Sequence, residues 1–425
     1  MPKEIVFVVG KDPLRETGGG HSSYVRAHAR AAIRIGFDPH LFCAGFDKGV
    51  VETDFGVVHR LLSPLRRFPH QLGGGIRVST APLHEPMITT GVEQFLRTRR
   101  GPSLIHGFGL WASAGVKASH RLEREGRQAV PIASAYTTLG HEHEGKLKGI
   151  NRDHGYSHRL FVLTERQWHK CVISHYERRA YLESHVVLVN YESVRRLLLT
   201  NFNEGLNLRR IPYSSEIAFL QANGTARPAA PVELAALEPV DAPLIMSVSR
   251  HDARKGVDAL IRALARLRAV GVKFRACLIG GGELLEPHRR LAGSLGLGAE
   301  TIITGFVRDS YSYLRHADIF ALPSLQEGSG SVSLLEALQA GAAVVASNID
   351  GIPEDVTDGD SALLVPPGDA AALSDAMQRA LTDADLRNHL RRRAREAFVE
   401  KFSAEAFTAA LREVYAELGF EGERG

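Results

Sequence analysis

The stretch PSLQEGSGSVSLLEALQAG, Pro323 to Gly341, followed at once by AAVVAS and DGIPEDV, decides how the chain is read. Just ahead of it, Ala317 to Leu322 is a short apolar run that predicts a buried strand ending in a loop of Glu327, Gly328, Ser329, Gly330 and Ser331. Val332, Leu334, Leu335, Leu338 and Gln339 then recur at helical spacing, and Gly341 supplies the residue that a left-handed helix cap prefers. A strand that hands a Gly/Ser loop to a helix start turns several backbone N–H groups outward, and those groups suit an anion. The expected guest is a phosphate or diphosphate. Two acids bracket that spot, Glu327 on the loop and Glu336 inside the helix. A carboxylate does not hold a phosphate but accepts from hydroxyls, so the pair suits a sugar and a ribose on either side of a diphosphate. The plainer alternative makes Glu327 a helix cap and Glu336 a solvated helix residue.

Working outward, Leu244 to Val248 predicts a strand, Val257 to Val270 a helix, and Phe274 to Ile279 a strand ending in Gly280, Gly281 and Gly282. Between the first two lies SRHDARKG, in which Arg250 and Lys255 follow a strand end and precede a helix, on the rim that carries Glu327. Two cations there can neutralise a diphosphate, each charge-assisted contact contributing roughly 1.5–3 kcal/mol. They matter most when the diphosphate departs, because charge then builds on phosphate and fixed cations favour the transition state over the ground state. Thr304-Gly305-Phe306-Val307, after the strand Thr301 to Ile303, can present backbone groups and an apolar face to a nucleobase; otherwise its Phe packs in the core.

The N-terminal half begins with the same logic: a strand at Ile5 to Val9, a loop ending in Gly18, Gly19 and Gly20, and a helix from His21 to Ile35. G-x-G-x-x-G is absent, so Gly19 and Gly20 are read as a place where backbone approaches a ligand closely, or as a plain turn. Strand signals recur at Leu41 to Ala44, Val57 to Leu61, Leu104 to His106 and Val130 to Tyr136, which implies a parallel sheet wrapped by helices. Ligands of such sheets sit beyond the carboxyl ends of the strands. Two of those ends carry histidine, at His106 and at the loop Thr137 to Glu144, TTLGHEHE. The loop is not H-E-x-x-H and no metal is assigned to it; His141 is read as a contact to a substrate hydroxyl or a proton shuttle, or as a solvated loop residue. Arg66, Arg67 and Phe68, and Arg97, Arg99 and Arg100, form basic spots that suit an anionic surface or simply solvent. A long helix is expected from His158 to Tyr181, then a strand from Val186 to Asn190.

At 425 residues the chain exceeds one ordinary core, and two domains are expected: 1–221, an Ala/Pro-rich linker at 222–242, 243–403, and a final amphipathic helix at 404–425. With 44% hydrophobic residues and no apolar run near the roughly 18 residues a span requires, no membrane insertion is expected. MPKEIVFVVG opens directly into a strand, so no signal peptide is read. Cys43, Cys171 and Cys277 stand far apart, which suggests neither a disulfide framework nor a thiolate metal site and suits the cytoplasm. A net charge of +4 does not argue for nucleic acid.

The residues from Leu244 to Pro367 together resemble the retaining glycosyltransferases of glycosyltransferase family four. SRHDARKG looks like that family's Arg and Lys diphosphate motif, GFV like its base-binding loop, ADIFALPS-x-x-E-G like its donor loop, and LLEALQAGAAVVAS, DGIPEDV and GDSALLVPPGD like its closing signatures. The first half is similar more loosely, through the glycine loop and YESVRRLLL. The resemblance implies an α/β GT-B fold, two facing Rossmann-like domains with parallel sheets and a deep interdomain cleft. It implies that Arg250 and Lys255 hold the diphosphate, Glu327 the donor sugar and Glu336 the ribose, that the amides from Gly328 to Ser331 share in these tasks, and that the last helix crosses back to the first domain. His141 corresponds approximately to the family's N-domain histidine. One departure is plain: Glu327 and Glu336 have eight residues between them where the family usually has seven, a change that falls in the GSGS loop and leaves Glu336 in place. The implied chemistry is transfer of a sugar from a nucleotide-sugar co-substrate to a small polar acceptor with retention and without a metal or other cofactor, in a monomer or homo-oligomer. A sugar phosphorylase, a nucleotide-sugar epimerase or a catalytically silent nucleotide-sugar sensor are the alternatives.

Overall fold

A computed structural model describes residues 3–14, 19–65, 78–148, 156–202, 205–220 and 229–422. The chain divides into two compact units, one of Met1–Glu144, His154–Phe219 and Ala404–Gly425, the other of Gly145–Asp153 and Leu220–Ser403.

Among the described residues the first unit holds eight strands: β1 (Lys3–Val8), β2 (Phe37–Gly45), β3 (Gly49–Thr53), β4 (Gly56–Leu62), β5 (Ser103–Phe108), β6 (Ala129–Ala135), β7 (Val186–Val189) and β8 (Leu208–Arg210). Their order is β3-β4-β2-β1-β5-β6-β7-β8, and every neighbouring pair is parallel except β3 with β4. The central strands are continuous apolar runs because helices cover both faces of a parallel sheet; Ile5, Phe7 and Val8 are wholly buried. At the edge, β3 alternates between half-buried and exposed residues and carries no apolar run, which is why the sequence reading passed over it. The helix α1 (Gly19–Ile35) follows β1 and takes Gly19 and Gly20 into its own first turn, whereas the sequence predicted a loop there; Gly18 lies outside the described residues. The helix α2 (Leu139–Lys148) replaces the irregular loop expected around His141. Its start is held by Thr138, whose hydroxyl accepts from His141 N at 3.3 Å, and by Glu177, which accepts from Leu139 N at 3.0 Å.

The second unit holds β9 (Leu244–Val248), β10 (Arg275–Ile279), β11 (Thr301–Gly305), β12 (Ile319–Leu322), β13 (Ala343–Ser347) and β14 (Ala362–Val365), in the order β11-β10-β9-β12-β13-β14 and parallel throughout. The helix α3 (Val257–Ala269) sends Leu260, Ile261, Leu264 and Leu267 into a core shared with Ile245, Leu278, Ile319 and Val345. The helix α4 (Val332–Ala340) ends at Gly341, whose left-handed backbone, φ 74°, closes it as its composition predicts. Of the stretch expected as linker, 229–242 is described and is mostly exposed, anchored by the buried Leu234 and Leu237 and by Tyr313, which donates to Glu233 at 3.0 Å.

The last helix, α5 (Ala404–Glu417), belongs to the first unit. Phe407 packs edge-on against His28, and Tyr415 meets His106 Nδ1 at 2.9 Å.

Candidate active site

In an open α/β sheet the binding crevice lies outside the carboxyl ends of the strands where the winding order reverses. The second sheet reverses between β9 and β12, because β10 and β11 lie on one side of β9 and β12 to β14 on the other. The two loops that leave those strands are joined. Leu325 N donates to Arg254 O at 2.7 Å. Gly256 stands left-handed at φ 60°, and a Cβ there would lie 2.1 Å from Pro323 O, so only glycine lets the loops close this far.

That closure brings Lys255 onto Glu327, with Nζ 2.6 Å from Oε2 and the side chains 15% and 4% exposed. The Ser324 hydroxyl donates to the other oxygen of the same carboxylate. Sequence reasoning placed these two residues on one rim with separate duties; it did not foresee that they hold each other. Arg250 extends from the same loop, 64% exposed, with Nη2 3.0 Å from Asp252. Asp252 also accepts from Arg254 N at 3.0 Å and so caps the turn that carries Lys255. The Arg254 side chain is largely covered, with Nη2 3.5 Å from Asp252. Beneath the loop His251 is buried against His288, the two Nδ1 atoms 2.9 Å apart; burial, and then its neighbour, push His251 down to about 4.

The donor loop has a partner that the sequence reading named only as part of a signature. Asp350 Oδ2 accepts from Glu327 N at 2.7 Å and from Gly328 N at 3.0 Å. Gly351 N reaches Ser329 O at 3.0 Å. Asp350 is the one non-glycine residue with positive φ, 47°, among the described residues. The Gly328 amide, which the resemblance assigned to the donor, is thus already bonded to a carboxylate. Donors for an anion are therefore sought at Gly330, Ser331 and Val332, where α4 begins without a side-chain cap. Ser331 instead meets the Ser333 hydroxyl at 3.0 Å, and Ser329 and Ser331 are buried. Glu336 is 8% exposed, which sets aside the solvated-residue alternative. Phe306 is 56% exposed just beyond β11, so its ring does not pack in the core, and Val307 follows it.

In the first unit His141 lies half-buried in the first turn of α2. Two residues on, His143 points elsewhere: it is buried, its Nδ1 is 2.7 Å from Leu139 O, and its ring meets His169 edge-on at 4.5 Å. Glu177, which receives the first amide of α2, is pushed up to about 7, chiefly by burial. His106 is not a rim residue. It lies inside β5, fully buried, with Nε2 2.8 Å from Ser134 Oγ and Nδ1 on Tyr415. The ring of His21, in the first turn of α1, lies 5.3 Å from that of Tyr136. Of the basic spots, Arg97 pairs with Glu93 at 2.6 Å and with Glu125, and Arg99 with Glu4 at 2.8 Å, so both serve the fold; Arg66, Arg67 and Phe68 lie outside the described residues. Among the described residues one group could gather round a metal ion, Glu4, Asp38 and His40 at the amino ends of β1 and β2, and Arg99 already neutralises its glutamate. No helix among the described residues is long and apolar enough to cross a membrane.

Sucrose-phosphate synthase from Thermosynechococcus elongatus superposes on the chain with a TM-score of 0.71 at 23% identity, covering 99% of both chains. The chain has the GT-B fold. A second GT-B structure, Anabaena HepE in complex with UDP-glucose, gives a TM-score of 0.67 at 16% identity over 98% of this chain and 100% of that one. Residues 235–397 match the family model of glycosyl transferases group 1, and this segment contains the β9 and β12 loops. The lipopolysaccharide core biosynthesis glycosyltransferase LpsE of Rhizobium meliloti is 36% identical over 194 residues, 45% of this chain and 55% of that protein. The chain spans about half the length of the curated relatives it matches first.

Proposed function

We propose that this chain is a cytoplasmic glycosyltransferase that moves a sugar from a nucleoside-diphosphate donor to a nucleophile on a small polar acceptor, with retention at the anomeric carbon. The observation that carries the reading is the junction at the reversal point of the second sheet, where Lys255, Arg250 and the uncapped start of α4 share a rim with the buried acids Glu327 and Glu336. The similarity of residues 235–397 to glycosyl transferases group 1 supports it from an independent direction.

In this reading the bond between the anomeric carbon and the diphosphate oxygen breaks, and its electron pair stays on the leaving phosphate. Arg250, Lys255 and the α4 dipole stabilise that charge as it develops, so the reading uses no divalent ion. The acceptor oxygen or other nucleophile bonds to the same face of the anomeric carbon, and its proton passes to a phosphate oxygen of the departing nucleotide. Glu327 takes a hydroxyl of the donor sugar, Glu336 the ribose, and Phe306 with Val307 the base. In the first unit Gly19 and Gly20 offer backbone to the donor, and His141 serves a substrate hydroxyl or a proton.

The pairing seen here decides which variant tests this cleanly. Lys255→Ala strands the buried Glu327 charge, a loss of roughly 3–5 kcal/mol for a buried pair, so lost activity could reflect lost structure. Arg250 is exposed, and Arg250→Ala leaves the fold intact. Transfer from UDP-, GDP- and ADP-sugars is measured in wild type and variant. Arg250→Ala is expected to lower kcat/KM by about 10- to 150-fold, the equivalent of one charge-assisted contact, at an unchanged melting temperature. Full activity in this variant removes the diphosphate assignment; donor binding without transfer to any acceptor turns the reading to a sensor, and donor turnover without acceptor turns it to an epimerase.

A further inference from the structure

The Lys255–Glu327 contact poses an electrostatic conflict. Lys255 has one ammonium group, and two anions compete for it: the Glu327 carboxylate that it holds in the structure and the diphosphate that the proposed function brings to the same rim. Glu327 is the fixed partner. Its backbone N–H is bonded to Asp350, its second carboxylate oxygen accepts from Ser324, and the side chain is 4% exposed. Lys255 is the movable one, a point charge on a four-carbon stem.

We infer that this pair acts as a discriminator that favours an intact nucleotide-sugar over the spent nucleoside diphosphate. An intact donor brings its own replacement for the ammonium group: hydroxyls of its sugar donate to Glu327 while Lys255 turns to the phosphate. A nucleoside diphosphate brings phosphate without those hydroxyls. Lys255 then either stays with Glu327, leaving the diphosphate one cation short, or leaves a buried carboxylate without its counter-charge, which is strongly unfavourable. Once the sugar has gone, re-formation of the Lys255–Glu327 pair weakens the hold on the nucleotide and helps its release. This rests on the proposed function, because it assumes that a nucleotide-sugar occupies the rim.

The inference predicts an opposite response of two ligands to one substitution. Ser324 and Lys255 donate to different oxygens of Glu327; Glu327→Gln keeps one of those acceptors, puts an NH2 donor in place of the other, and removes the competing negative charge. Titration calorimetry compares UDP with UDP-glucose, GDP with GDP-mannose and ADP with ADP-glucose on wild type and variant. For the pair that wild type binds, Glu327→Gln is expected to tighten the nucleoside diphosphate about tenfold and to weaken or leave unchanged the nucleotide-sugar, collapsing their affinity ratio by a factor of ten or more. Should the variant not fold, Glu327→Asp, whose shortened carboxylate retreats from Lys255, moves the ratio in the same direction. Diphosphate binding that is unchanged or weaker in the variant, with wild-type binding intact, overturns the discriminator and leaves the proposed function standing. Failure of wild type to bind any of the three pairs overturns both.

Discussion

Asp350 superimposes two energies that substitution can separate. Its carboxylate receives two amides of the donor loop, at 2.7 and 3.0 Å, and its backbone stands at φ 47°. Bonds to a charged acceptor contribute about 1.5–3 kcal/mol each, and a left-handed conformation costs a residue with a Cβ about 1–2 kcal/mol. Asp350→Gly loses both hydrogen bonds and recovers the backbone cost, for a net loss of about 1–5 kcal/mol. Asp350→Ala loses the bonds without that recovery, so it falls about 1–2 kcal/mol below the glycine variant. Because both variants lose the same bonds, the difference between them isolates the backbone. The local assay is hydrogen exchange of a peptide spanning 324–333, whose Glu327 and Gly328 amides lose protection in both variants and more so in Asp350→Ala. KM for the donor rises in the same order, since Glu327 is no longer held beside Lys255. Equal exchange in the alanine and glycine variants would refute the strain, and wild-type protection at Glu327 and Gly328 in either would refute the clamp.

Two further outcomes follow from the same loops. Gly256→Ala places a methyl group 2.1 Å from Pro323 O in a left-handed backbone, which forces the β9 and β12 loops apart; a loss of about 3 kcal/mol or more in unfolding free energy and weaker donor binding are expected, and a melting temperature within a degree of wild type contradicts the close approach. His251 is pushed down from 6.5 to about 4 by burial, so the folded state refuses a proton that the unfolded chain accepts; its stabilising contribution is full above pH 6.5 and falls by about 2 kcal/mol as pH drops to 5. Thermal unfolding should show that decline in wild type and a smaller one in His251→Asn, and identical slopes sink the assignment.

The second unit was legible because its signals are local. The strand from Leu244 to Val248 and the glycine stop at Gly341 fall where composition places them. The exposure of Phe306 and the burial of Glu336 set aside a core phenylalanine and a solvated glutamate. What the sequence withheld there is contact across distance: the Lys255–Glu327 pair joins residues 72 apart, and Asp350 reaches back 23 residues to Glu327. No periodicity encodes either. The first unit was harder for a different reason. Its central strands carry long apolar runs, so their ends are blurred, and β5 runs to Phe108 where the sequence reading ended it at His106. Two residues of error move His106 from a rim to the middle of a buried strand. The loop read at His141 became a helix because its first amide is received by Glu177, a carboxylate 38 residues away.

The misplacement of His106 has a physical cause that also says what the buried histidines of the first unit are for. A parallel strand covered on both faces has no solvated side on which to set a polar group, so a histidine within it must find partners inside. His106 finds Ser134 on the neighbouring strand and Tyr415 on α5, and its ring stacks on Phe108. His28, wholly buried, bonds to Tyr24 O through Nδ1 and meets Phe407 of α5 edge-on. His106 thus ties the end of the chain to the first sheet and His28 ties it to α1, and burial drives both rings toward the neutral form. Chemistry at a strand end needs the winding reversal, which fixes where a ligand lies, together with a loop whose charges face outward, which fixes what it is. In the second unit both coincide at β9 and β12. In the first unit the reversal lies between β1 and β5, and His106 on β5 is spent on holding α5.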